Sequence, residues 1–218
     1  MFIGHFALGF GAKRLNPALS LGTLFLTCQL ADLIWPTLVL LGVERVEIDP
    51  GNTAFTPLNF VFYPYSHSLT ALLLWGIIFG GAYRAAYDAT RWTALLLGGL
   101  VVSHWVLDFV SHRPDMPLSI DDHEKVGLGL WNSVPATIAV EGLMFAIGLA
   151  IYARSTRARD RIGAYGLWGL ALFFIGVNVA NILSPPPPSA TAVAWSAELL
   201  WLVVAAAYWV DRHRAVKS

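Results

Sequence analysis

Apolar runs of about twenty residues, separated by short polar stretches, recur from one end of the chain to the other. At a rise of about 1.5 Å per residue, a helix of that length matches the hydrocarbon layer of a bilayer. Six transmembrane helices are predicted, over residues 18–43, 66–87, 92–111, 128–153, 162–183 and 190–210, with Pro185 to Pro188 breaking the chain between the last two. Residues 2–12 are apolar but too short to cross, which predicts a half-depth helix packed into the bundle. The expected fold class is all-α: a polytopic transmembrane helical bundle of about six spans plus this short N-terminal helix. Residues 1–218 then form a single integral membrane domain.

Composition agrees, with 56% of residues apolar and 13% charged. A formal net charge of zero gives no sign of a nucleic-acid partner, so the bilayer is the first partner implied. The lone Cys28 can form neither an intramolecular disulfide nor a cysteine-based metal site and is expected to be a packing residue. The first dozen residues lack the basic n-region and cleavage pattern of a signal peptide, so the N-terminus is expected to remain on the mature protein.

Charge placement orients the spans. Lys13, Arg14, Arg84, Arg91, Arg154, Arg157, Arg159, Arg161, Arg212, Arg214 and Lys217 fall on one side of the six-span arrangement, eleven of the fourteen basic residues, against Arg45, Arg113 and Lys125 on the other. The positive-inside rule puts the eleven, and both termini, on the cytoplasmic side of a cell (inner) membrane. The outer loops, about residues 44–65 and 113–127, carry Glu44, Glu47, Asp49, Asp115, Asp121, Asp122 and Glu124. Phe55, Phe60, Phe62, Tyr63 and Tyr65 in the first of them form either a membrane-interface belt or a substrate-gripping loop. No internal repeat of the inverted-repeat transporter kind is visible.

Within the apolar segments lie His5, Asp32, His67, His104, Asp108, His112 and Glu141, ionisable residues that are costly at membrane depth. His104, Asp108 and His112 follow an i, i+4, i+8 spacing, which stacks them along one helix face about 40° apart per step. Counted up each helix from its basic end, Asp32, His104 and Glu141 come about 20 Å up, and His67 and Asp108 about 26 Å. His5 comes about 12 Å up, and His112 at the outer rim. Each residue taken singly fits an interhelical hydrogen bond, but seven in nearly one layer call for something to neutralise them, and a bound cation does so. Glu141 has an alternative in bonding Asn132, Ser133 or Thr137, and Glu198 reads as a structural pair. His123, in a polar loop, and His213, beside Asp211 and Arg212, read as surface residues.

Gly4-His5, Ala31-Asp32 followed by Trp35-Pro36, Ser66-His67-Ser68, and Ser103-His104 with Asp108 four residues on together resemble the membrane-bound metal-dependent hydrolases, the type that includes an SOS-inducible inner-membrane protein under LexA control. The resemblance covers residues 1–145, while the two spans in 160–211 carry no motif. That family is distantly similar to the zinc-dependent phospholipases C and single-strand-specific nucleases. The similarity implies His5, Asp32, His67, His104 and Asp108 as metal ligands, with Asp108 a candidate bridge between ions. The further His-xxx-Glu pair of those enzymes is not matched, because Thr137 stands four residues before Glu141, so a full three-zinc cluster is not expected. His112 with Glu141 would hold a weaker second ion.

The expected function is a membrane-embedded metal-dependent hydrolase that cleaves an ester or phosphoester, lipid-like in character, by a metal-activated water, with Zn²⁺ the expected ion. Asp32 is expected to act as catalytic base or as a ligand. Two alternatives use the same residues: a metal or small-solute permease with a transit site near the midplane, and a haem-binding bundle using two of His67, His104 and His112. The topology has a direct test: reporter fusions near Arg157 and near Ser119 should report opposite compartments, cytoplasmic for the first, and a shared compartment would overturn the span count.

Overall fold

A computed structural model describes residues 1–217. The chain is mostly helical. α1 (Ile3–Ala12) is followed by α2 (Leu21–Cys28) and α3 (Leu30–Leu40), which are bent by 55° at Gln29. A hairpin of β1 (Arg45–Ile48) and β2 (Leu58–Phe62) leads into the single turn α4 (Pro64–His67) and then α5 (Leu69–Tyr87) and α6 (Arg91–Ser111). A short antiparallel pair, β3 (Met116–Pro117) with β4 (Lys125–Val126), and a 3-10 turn at Leu130–Asn132 precede α7 (Val134–Ser155). β5 (Thr156–Ala158) joins α7 to α8 (Arg161–Leu183); α9 (Ala190–Glu198) and α10 (Leu200–Arg212) follow, and β6 (Arg214–Val216) returns to pair with β5.

Five helices are long and apolar enough to cross a membrane: α5, α6, α7, α8 and the segment Ala190–Arg212; the bent pair α2–α3 makes a sixth if it counts as one span. Their outer faces expose large apolar side chains, among them Ile77, Leu95, Leu172, Leu183 and Leu202. A water-soluble protein rarely leaves so much apolar area uncovered, and a lipid surround is compatible with it. Helix starts follow side-chain chemistry: Ser20, Ser68, Thr90, Ser133, Asp160 and Ser189 each accept a hydrogen bond from the backbone N–H three residues on. Two of these caps move the predicted boundaries. Ser68 starts α5 afresh, so Ser66 and His67 sit on the separate turn α4, and Ser133 delays α7 to Val134, after a loop where a helix from 128 was expected. The three small strand pairs in the connections were not anticipated from the apolar pattern.

α1 is the hub. A helix apolar on nearly all sides must be buried, and eight of its ten residues are. Its Phe6 and Phe10 meet Phe25, Phe145, Phe174 and Tyr152 mostly edge to face, building one aromatic core from α1, α2, α7 and α8. Gly148 of α7 lets the two backbones touch: a Cβ there would lie 2.3 Å from the Ala7 carbonyl oxygen. Gly76 and Gly98 do the same for α5 against α6, where a Cβ on Gly76 would come 2.8 Å from the Gly98 carbonyl oxygen. These approaches fix α1 against α7 and α5 against α6; α1, α4 and α6 between them carry His5, His67, His104 and Asp108.

Candidate metal centre

His104 and Asp108 project from one face of α6, one turn apart. The His104 Nδ1–H donates to the Cys28 carbonyl at 2.8 Å. In an unbroken helix that carbonyl would accept the Asp32 N–H; the bend at Gln29 frees it. With its proton committed at Nδ1, His104 presents a bare lone pair at Nε2, a buried atom with no hydrogen-bond partner. Facing it are Asp108 Oδ2 at 3.1 Å and Asp32 Oδ1 at 3.7 Å.

His67 repeats the arrangement from the other side. Its Nδ1 lies 2.7 Å from Ser66 Oγ, and that hydroxyl donates onward to Glu44 Oε2 at 2.6 Å, so Ser66 accepts from His67. Glu44 Oε1 also receives the N–H groups of Tyr65 and Ser66, at 2.8 and 2.9 Å, which pins the carboxylate under α4. Burial pushes the Glu44 carboxyl above its ordinary range, and the Ser66 contacts pull the other way. The His67 Nε2 lone pair then points at Asp32 Oδ1, 3.3 Å away, and lies 3.9 Å from Asp108 Oδ2.

Three acceptor atoms, from His67, His104 and Asp32, thus converge within 4.8 Å of one another, and Asp108 Oδ2 flanks both imidazole nitrogens at 3.1 and 3.9 Å. Lone pairs that close repel, and a cation among them turns the repulsion into attraction. The spacing suits one: donors about 2.0–2.2 Å from a tetrahedral ion stand about 3.3–3.6 Å from each other. The donor set, imidazole nitrogen with carboxylate oxygen, is that of zinc and similar ions.

His5 extends the cluster. Its ring stacks on that of His104 with centroids 3.7 Å apart, and its Nε2 lies 3.1 Å from Asp108 Oδ1, an oxygen also in contact with the Met1 amino group. Two sets of three ligand atoms therefore lie within 4.8 Å of one another, His5 with His104 and Asp108, and Asp32 with His67 and His104. His104 belongs to both but has one free nitrogen, so it can serve one ion at a time. All these side chains are buried to 4% exposure or less except Asp32, at 26%, which marks the open side of the cluster.

Two residues expected as ligands stand outside both sets. His112, at the C-terminal cap of α6, has Nδ1 2.9 Å from Asp115 Oδ1 and sits among Phe60, Tyr63 and Trp131, so it belongs to an aromatic wall. Tyr63 links that wall to the site, its ring centroid 5.3 Å from that of His67. Burial, with the nearby Asp115 carboxylate, holds its phenol well above the ordinary pKa, so it stays a hydrogen-bond donor to the Asp115 carbonyl. Glu141 instead caps α1: its Oε2 accepts from the Phe2 and Gly4 N–H groups at 2.9 and 3.3 Å, a different partnership from the Asn132, Ser133 or Thr137 bond considered from sequence. Glu198 accepts from Thr37 Oγ1 at 2.6 Å, and His213 pairs with Asp160.

The parts played by Glu44, Ser66 and the Cys28 carbonyl were not read from the sequence. Ser66 had a signal in its adjacency to His67; the other two depend on a loop that folds back and on a helix break. If they orient the ligands, Glu44→Ala or Ser66→Ala should weaken zinc affinity roughly 10–100-fold. His67→Ala, His104→Ala or Asp108→Ala should remove most bound metal from the purified protein, and His112→Ala should leave it. Metal analysis across the series checks this, and equal content in every variant would leave a hydrogen-bond network as the better account. Comparison with protein-family models, with curated proteins and with solved structures finds no match, so the geometry itself is what speaks for the site.

Proposed function

We propose that this chain is an integral membrane protein of the inner membrane, with its termini and basic end cytoplasmic, and that the buried cluster is the centre of a metal-dependent hydrolase acting on an ester or phosphoester. The observation that carries the reading is the convergence of the His67 and His104 Nε2 lone pairs on Asp32 and Asp108, each histidine held by a hydrogen bond at its other nitrogen. That arrangement of partners is how proteins orient metal-binding imidazoles. His67, His104 and Asp108 would hold the ion, with Asp32 as a fourth donor or as base. When bound, a divalent ion such as zinc supplies a Lewis acid that lowers the pKa of water towards about 7 and polarises an ester or phosphoester oxygen.

The chain's own residues supply the rest. Asp32 is the one site carboxylate open to an incoming molecule, so it is placed to take a proton from water as substrate arrives. Glu44 and Ser66 keep the His67 ring from turning. Phe60, Tyr63 and Trp131 form an apolar wall beyond His67, which favours a lipid-like substrate over a small hydrophilic one.

A permease would be expected to place a second set of polar ligands along its path, and among the described residues both sets of three share His104. A haem needs two imidazoles on opposite faces of a flat ring. Here His5 and His104 stack directly and His67 meets His104 edge to face at 5.2 Å, so no observation favours that alternative.

Metal-loaded protein should hydrolyse a lipid headgroup ester or an activated phosphoester, and Asp32→Asn should slow turnover by about 10²–10⁴-fold. Metal content then separates the roles: unchanged content marks Asp32 as base, and lost content marks it as ligand. No cleavage across a broad substrate panel, combined with Asp32-dependent metal flux in proteoliposomes, would overturn the hydrolase in favour of a transporter.

A further inference from the structure

At the far end of α7 from the metal-ligand cluster, a cavity of about 350 Å³ opens between the C-terminal cap of α1 and the β5–β6 pair. Its lining includes Lys13, Arg159, Arg212 and Arg214, with Asp211 the one carboxylate. Asp211 is already engaged through both oxygens: Oδ2 lies 2.9 Å from Lys13 Nζ, and Oδ1 accepts from the Tyr152 hydroxyl. Four cations and one committed carboxylate leave an excess of three positive charges around one concavity.

Two of the cations are part of the framework. Lys13 Nζ also donates to the Leu19 carbonyl at 2.7 Å. Arg214, with 9% of its surface exposed, donates to Thr156 Oγ1 at 3.0 Å and to the Gly163 carbonyl, and its guanidinium lies 5.5 Å from the Tyr152 ring centroid. Among the described residues it has no carboxylate within 4.0 Å. Buried charges are ordinarily paired, so a guanidinium held this way beside a cavity has a counter-ion still to find. Arg159 and Arg212 are exposed, line the same cavity and likewise lack a carboxylate among the described residues. They stand as two exposed arms over a buried cationic floor.

We propose that this cavity binds a phosphate group. Guanidinium forks match phosphate oxygens in geometry and charge. The level in the fold points to the headgroup of an anionic phospholipid as its source. The cavity lies where α7 and α10 end and α8 begins, with exposed Tyr165, Ile162 and Trp209 nearby, the level at which aromatic side chains meet lipid headgroups. The phosphate chemistry stands on the cavity alone, whereas the lipid source rests on the bilayer reading above.

The test uses detergent-purified protein, with lipid retention read by native mass spectrometry. Wild type should retain phosphatidylglycerol in preference to phosphatidylcholine, and Arg159→Gln/Arg212→Gln should lower that retention roughly tenfold or more. Arg14→Gln/Arg91→Gln removes the same charge at the same end without touching the cavity and should retain the lipid as wild type does. Equal retention in wild type and the cavity variant, or equal loss in both double variants, overturns the site. Displacement of the retained lipid by millimolar inorganic phosphate supports the phosphate chemistry, whereas wild type that retains neither lipid in preference but is protected from unfolding by phosphate, in a way the cavity variant is not, overturns the lipid as its source. Unfolding temperatures and metal content should be alike in all three proteins.

Discussion

An apolar interior tolerates a carboxylate or an imidazole lone pair only when something answers it, and here two of each point into one space. The His104 proton goes to the Cys28 carbonyl and the His67 proton to Ser66, which leaves both Nε2 atoms as acceptors facing Asp32 and Asp108. A chain that wanted only to pack these helices would turn one ring or bring a donor between them. The Met1 amino group and His5 answer Asp108 Oδ1, but the two Nε2 lone pairs still face Asp32 Oδ1 and Asp108 Oδ2, which is costly without a cation, and much of the scaffold is explained by the need to hold that arrangement.

The scaffold achieves it with local irregularities. The break between α2 and α3 frees the backbone carbonyl that fixes His104, and the same break starts the turn that carries Asp32. The restart at Ser68 leaves His67 on its own short turn, where Glu44 can gather the Tyr65 and Ser66 N–H groups. α1 brings His5 in only because its start is capped by Glu141 and its backbone can lie against α7 at Gly148. Straight, regular spans would have offered the same residues at similar depth without aiming them.

Five of the seven residues picked from sequence, His5, Asp32, His67, His104 and Asp108, come together in the fold, and the reason they were legible is that ionisable residues are conspicuous in apolar runs and helix rise converts sequence distance to depth. The helices long and apolar enough to cross a membrane were legible for the same reason, from length and apolarity. Depth along a helix says nothing about rotation or about what a neighbouring turn offers. His112 shares the α6 stripe with Asp108, yet the helix ends there and its ring goes to Trp131 and Asp115. Glu141 lies at the right level, yet the free N–H groups of α1 claim it. Glu44 was visible only as one acidic residue in an outer loop, because its part depends on how β1 and β2 fold that loop back over α4.

The central claim, that a metal ion belongs between these acceptors, is tested most directly by X-ray absorption at the zinc edge on protein purified without chelators. The account predicts about one zinc per chain with nitrogen and oxygen neighbours at about 2.0–2.2 Å, a mixed imidazole and carboxylate shell that loses a nitrogen neighbour in His67→Gln. A metal-free protein that stays folded and takes up no added zinc, or a zinc whose shell is unchanged by His67→Gln, would contradict it.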